Sequence, residues 1–207
     1  MARLAIIGTG YVGLTTGACL AHLGHDVVCV DVDVDKVARL SEGDIRIVED
    51  RLGQLVRDGL DDGRLRFVVG AAKAVSDCEV VFLCVPTPQN PDGSADLSFI
   101  EAASRELAPV LSPEAIVVNK STVPVGSTRV VESMLGRPDV TVVSNPEFLR
   151  EGSAVADFLH PDRIVIGSEN QSAAIKVLSL YQGISAPTVV TDPASAETIK
   201  YAANAFL

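Results

Sequence analysis

Short runs of β-branched and aliphatic residues recur along the chain, with amphipathic stretches between them. Leu4 to Ile7, Val27 to Val30, Arg66 to Val69, Val80 to Val85, Ile116 to Val118, Val140 to Val143, Ile164 to Ile166 and Thr188 to Val190 are predicted strands. Most are apolar without alternation, the pattern of parallel strands buried on both faces. Helical spacing of apolar positions predicts helices near 11–23, 34–41, 97–108, 127–135 and 171–181. Strand, helix, strand in regular alternation predicts an α/β fold, a Rossmann-like doubly wound, mostly parallel sheet with helices on both faces. The turn-rich stretch 86–98 follows a strand, where open sheets of this kind place ligand contacts.

One more helix is expected at the C-terminal end. Asp192 and Pro193 form an N-cap and first-turn pair, and Ile199, Ala202, Ala203 and Phe206 then recur at helical spacing. No capping glycine follows, and the sequence reaches Leu207 in mid-pattern. The expected organisation is a Rossmann-like domain over 1–191 and the start of a connecting helix over 192–207, in a chain cut from something longer. A natural C-terminal helix docked on the sheet is the alternative.

A length of 207 residues suits one large domain, or one domain plus a fragment, and 47% hydrophobic residues suffice for a sizeable core. The 27 acidic against 17 basic side chains give a net charge of −10, and aromatic residues make up only 4%. Such a chain repels a phosphate backbone and lacks a stacking platform, so no nucleic-acid partner is expected. An anionic ligand must instead be held by local devices such as helix N-termini and single lysines. Cys19, Cys29 and Cys84 lie in apolar patterns and read as buried free thiols of a reducing compartment. The apolar stretch after Arg3 is soon interrupted by three glycines, so neither a signal peptide nor a membrane partner is expected and the protein is placed in the cytoplasm.

The first chemical motif is Gly8-Thr9-Gly10-Tyr11-Val12-Gly13, after the first strand and opening a helix. Gly8 permits a tight turn, Gly10 lets the backbone approach a pyrophosphate, and Gly13 lets helix and strand pack closely. Asp31 ends the second strand eighteen residues past Gly13, where a carboxylate accepts from ribose hydroxyls and repels a 2′-phosphate. These features predict NAD rather than NADP as cofactor. The competing reading is a structural glycine turn and a solvated acid. Asp33 and Asp35 read as capping or solvent-facing.

Two further segments place polar residues after apolar strands. In 119–128, Ser121 or Thr122 could meet a ligand at the sheet edge; in 144–163, Glu147 and Glu151 do the same, although a solvated loop acid also explains Glu147. His22, His25 and His160 read as structural. Without a His, Cys and carboxylate cluster at ligand spacing, no metal is expected.

Together GTGYVG, the acid at Asp31, CVPTP (84–88), KSTVPVGST (120–128), NPEFLREGSAVADFLHPDRIVIG (145–167) and ETIKYAANAFL (197–207) resemble the UDP-glucose/GDP-mannose dehydrogenase family over essentially the whole chain. The resemblance implies an NAD-binding domain followed by the start of the central helix. It also implies oxidation of a sugar C6 alcohol to a carboxylate with two NAD, through a cysteine thiohemiacetal and thioester. The glycine-rich motif that carries the family's cysteine is absent, so none of Cys19, Cys29, Cys78 and Cys84 is assigned as nucleophile.

By position, the resemblance makes Glu147 the acid/base residue of thioester hydrolysis, Lys200 and Asn204 the pair bonded to the reacting oxygen, and Thr122 the residue that positions water. The i, i+4 spacing of Lys200 and Asn204 independently puts them on one helix face. It also implies cofactor contacts from Tyr11 and Val12 to the pyrophosphate, from Asp31 and Lys36 to the adenosine ribose, and from Thr87, Thr122 and Glu151 near the nicotinamide. Phe148 and Leu149 would meet the substrate, UDP-glucose or a related nucleotide sugar, through their main chain. A homo-oligomeric parent enzyme is expected. A GDP-mannose-type specificity and a stand-alone NAD sensor module are the alternatives.

Overall fold

Alternate side chains of the first strand point to opposite faces of a central sheet: Leu4 and Ile6 join one buried cluster, Ala5 and Ile7 another. The structure, a computed structural model, describes residues 1–71 and 74–206; Leu207, the last residue of the expected connecting helix, lies outside them. Among the described residues the sheet comprises β1 (Arg3–Ile7), β2 (Asp26–Asp31), β3 (Leu65–Val69), β4 (Val80–Leu83), β5 (Ile116–Asn119), β6 (Thr141–Ser144), β7 (Ile164–Gly167) and β8 (Thr188–Thr191). Their order is β3-β2-β1-β4-β5-β6-β7-β8. Every pair from β3 to β6 is parallel, as is β7 with β8. The β6–β7 pair is antiparallel and shares one register position, Ser144↔Gly167. The expected α/β class and mostly parallel sheet are therefore observed, with two reversed strands at one edge.

The helices are α1 (Tyr11–His22), α2 (Val34–Ser41), α3 (Leu52–Asp61), α4 (Ser98–Leu107), α5 (Ser127–Leu135), α6 (Ala154–Leu159), α7 (Gln171–Ser179) and α8 (Pro193–Phe206). Buried residues of α1, α2, α3, α6 and α7 pack with Leu4 and Ile6 on one face, those of α4 and α5 with Ala5 and Ile7 on the other. Local chemistry starts several of them. The Asp33 carboxylate accepts the Lys36 N–H at 2.9 Å, Asn170 caps α7 through Ala173, and Asp192 caps α8 through Ser195. Asp33 is thus a cap, and Asp35 an exposed acid in the first turn of α2.

Two helices are missing from the sequence prediction, α3 and α6. The first starts after Arg51, a left-handed residue (φ 63°) without a side-chain cap, so it lacks a recognisable start. The second is only six residues long. Strand β4 also stops at Leu83 rather than Val85, which frees Cys84 and Val85 to line cavities at the sheet edge. The turn after β1 and the one after β4 flank the point where strand order reverses, the ligand crevice of open α/β sheets.

All four cysteines are free and buried. His25 is structural, as expected: its Nδ1 accepts the Ala2 N–H at 3.2 Å, and its Nε2 lies 2.9 Å from the Leu180 carbonyl. Both ring nitrogens are used only when the imidazole is neutral with its proton on Nε2. Burial, against the pull of the Leu180 carbonyl, holds its pKa below the ordinary 6.5. A base whose folded pKa is depressed contributes stability above its unfolded pKa and loses it as pH falls. The thermal midpoint is therefore expected to drop as pH falls below about 6.5. His25→Gln should flatten that dependence between pH 6.5 and 5, as read by circular dichroism melts.

Candidate functional site

The turn after β1 is shaped by absent side chains. Gly8 has φ +95°, and a Cβ there would lie 2.7 Å from the Cys84 carbonyl oxygen. A Cβ on Gly13 would lie 1.9 Å from the Gly8 oxygen, so only glycine lets α1 start this close to the strand. A Cβ on Gly10 would meet nothing within 4 Å and would project into open space. Helix α1 has neither a side-chain cap nor an acidic residue in its first turn. Its N-terminal amides, with the positive end of the helix dipole, suit an anion at Gly10, Tyr11 and Val12.

Beside this turn a cavity of 280 Å³ is lined by Gly8, Asp31, Lys36, Ala71, Phe99 and Ala103, among others. Its mostly apolar walls, with the carboxylates of Asp31 and Glu106 among them, suit an adenosine. The Asp31 side chain is 11% exposed and pairs with Lys36 Nζ at 2.8 Å. It also accepts the Thr9 N–H at 2.9 Å, the Thr9 hydroxyl and the Asp33 N–H. Burial works to raise its pKa, but the bonds from Lys36, Thr9 and Asp33 outweigh it and hold the carboxyl well below the usual range. This acid is therefore fixed by the protein itself and buttresses the glycine turn.

A second cavity of 260 Å³ continues along the sheet edge and is lined by Tyr11, Val12, Thr87, Ser121, Thr122 and Glu147, among others. The Thr87 hydroxyl donates to the Thr122 carbonyl at 2.8 Å, and the Ser121 hydroxyl to the Val85 carbonyl at 2.8 Å, which ties the loop after β5 to the exit of β4. Glu147, on the loop after β6, meets Lys200 of α8 at 2.8 Å, with 9% and 7% of the side chains exposed. Its other oxygen accepts the Leu149 N–H at 2.6 Å. The Phe148 ring lies 4.3 Å from the Arg163 guanidinium and 5.5 Å from Lys200 Nζ. Asn204, one turn beyond Lys200, is exposed, as is Glu151, whose charge reaches Tyr11.

Three charged residues that the sequence did not single out complete the surroundings. Glu49 accepts the Tyr11 hydroxyl at 2.9 Å and the N–H groups of Gly152 and Ala154 at 2.8 Å each, which fastens the start of α1 to the start of α6. Lys120, 4% exposed, lies 3.3 Å from Asn145 Oδ1 and 3.4 Å from the Tyr181 hydroxyl. Glu197, 2% exposed, binds the start of α5. Acids or lysines next to apolar strands and turns were the only available signal. A larger cavity of 610 Å³ lies against α5, β6 and the start of α8, and contains Glu197 but none of the predicted site residues.

The profile of the UDP-glucose/GDP-mannose dehydrogenase family, NAD binding domain, matches residues 2–185. The chain belongs to this family. NAD is accordingly its cofactor, and the open Gly10, the α1 N-terminus and the Asp31 cavity fit that dinucleotide. The UDP-glucose 6-dehydrogenase TuaD of Bacillus subtilis is 44% identical over 212 residues, covering 100% of this chain and 46% of TuaD. The solved UDP-glucose dehydrogenase of Pyrobaculum islandicum superposes with a TM-score of 0.92 at 43% identity, over 100% of this chain and 50% of that one. The GDP-mannose dehydrogenase of Pseudomonas aeruginosa gives 0.93 at 35% identity, over 99% and 49%. The chain thus spans about half the length of these nucleotide-sugar dehydrogenases.

Two substitutions separate folding from cofactor binding in this dehydrogenase domain. Gly10→Ala should leave the melting temperature nearly unchanged and abolish calorimetric NAD binding, whereas Gly13→Ala should lose both. Asp31→Ala should weaken NAD by about 1.5–3 kcal/mol. It should also lower the melting temperature, because Thr9 and Lys36 lose their acceptor.

Proposed function

We propose that the chain is the cofactor-binding half of a cytoplasmic, homo-oligomeric UDP-glucose 6-dehydrogenase, which oxidises UDP-glucose to UDP-glucuronate with two NAD. The observation that carries this reading is the buried Glu147–Lys200 pair beside a cavity that begins at the NAD-binding turn. The higher identity to UDP-glucose enzymes, 44% and 43% against 35% for the GDP-mannose enzyme, supports the substrate. Among the described residues no helix is long and apolar enough to cross a membrane.

Gly8, Gly10, Tyr11, Val12 and Gly13 would hold the cofactor pyrophosphate, Asp31 and Lys36 the adenosine ribose, and Thr87, Ser121, Thr122 and Glu151 the nicotinamide half. When bound, NAD supplies a hydride acceptor at the sugar C6. Lys200, with Asn204 one turn away, donates to the C6 oxygen as negative charge gathers there. Glu147 would take a proton from water that the Thr122 hydroxyl orients. The Phe148–Leu149 main chain faces the sugar nucleotide.

Burial pushes the thiols of Cys19 and Cys84 up to about 12 and that of Cys78 to about 11, and raises Cys29 as well. Such thiols are protonated at neutral pH and make poor nucleophiles. The covalent step is therefore assigned to a cysteine outside these four.

With NAD and UDP-glucose the isolated 207-residue chain is expected to form no measurable NADH at the nicotinamide absorbance band. Joined to a family second half that carries the nucleophilic cysteine, it should form two NADH per sugar. In that longer protein Lys200→Ala should lower kcat by about 10²–10³-fold with NAD affinity nearly unchanged. Turnover by the isolated chain would overturn the assignment, and preference for GDP-mannose in the longer protein would redirect it.

A further inference from the structure

Helix α5 begins at Gly126, a left-handed residue (φ 97°) that offers no side-chain cap, and has no acidic residue in its first turn. Its orphan amides are satisfied from α8 instead. Glu197 accepts the Gly126 N–H on one oxygen at 2.6 Å, and the Thr128 N–H and hydroxyl on the other at 2.9 and 2.8 Å. The carboxylate spends its charge on three donors at a helix N-terminus, which suits a residue only 2% exposed.

We propose that Glu197 is a positioning residue for the reaction: it fixes the rotation of α8 against the loop after β5, so that Lys200 faces Glu147. Glu197 and Lys200 are three residues apart on one helix, both buried, and so share a face. The loop is anchored at its front by Thr87 and Ser121 and at its back by Glu197. One carboxylate thereby spans the two segments that carry Thr122 and Lys200. The inference rests on reading these two residues as parts of the active site.

The test compares amine acetylation of Lys200 in the 207-residue chain, read by peptide mass spectrometry, with the half-exposed Lys176, paired with Glu79 far from α5, as internal standard. In Glu197→Gln an amide replaces one acceptor oxygen and opposes an N–H donor. Lys200 should then acetylate about tenfold faster relative to Lys176, while ADP-ribose affinity, which probes the distant Asp31 cavity, stays unchanged. Thr128→Val, which removes one of the three bonds, should give a smaller increase, and Thr128→Ser should behave as wild type. Unchanged Lys200 protection in Glu197→Gln with intact ADP-ribose binding would overturn the proposal and leave Glu197 as a cap of α5 alone. Should Glu197→Gln not fold, Thr128→Val decides, with unchanged protection again the overturning result. The functional reading fails on a different measurement, the NADH yield of the longer protein, which leaves the protection comparison untouched.

Discussion

A carboxylate and an ammonium meet at the edge of the sheet with less than a tenth of either side chain in water, Glu147 against Lys200 at 2.8 Å. Neither charge could rest there alone, since burying one unpaired ion costs several kcal/mol even after relaxation. The pair therefore makes the loop after β6 and helix α8 depend on each other, although 53 residues separate them. The same exclusion of water strengthens every electrostatic interaction in the neighbourhood. On the proposed reading, a substrate oxygen that reaches Lys200 would take over part of what Glu147 supplies, and the ion pair would act as a placeholder for the charge that develops in the reaction.

At the other end of the crevice the protein orders a candidate ligand-binding group beforehand. Asp31 is held by Thr9, Asp33 and Lys36, and the same bonds secure the turn whose glycines approach the strand. Side-chain ordering that precedes binding is not charged against affinity. Glu49 extends this rigidity by joining Tyr11 to the backbone of Gly152 and Ala154, which links the two ends of the crevice.

Much of this is legible in the sequence because it is local. Continuous apolar runs mark the buried strands, and the spacing of GTGYVG and Asp31 marks the glycine turn and the acid that buttresses it. The reversal of β7 is not, because a strand of four apolar residues reads the same in either direction. Helix α3 hides behind a left-handed Arg51 and α6 behind its brevity. Glu49 and Glu197 are invisible for a further reason: their partners lie 103 and 71 residues away, and a lone acid carries no sign of which amide it will reach. Lys120 looks like a surface lysine until Asn145 and Tyr181 close over it.

The single register position between β6 and β7 divides the sheet unequally. Six strands are joined by continuous ladders, while β7 and β8 meet them through that position, the Asn145 amide donating to the Val165 carbonyl at 2.8 Å, and side-chain packing that includes Ile164, Ile166 and Tyr181. Backbone amides of these two strands should thus reach solvent without the six-stranded body opening. In the language of amide exchange, two cooperative units of unequal free energy are expected, with the weaker boundary between β6 and β7. The turn after β1 lies wholly within the six-stranded body, whereas Glu147 sits on the seam.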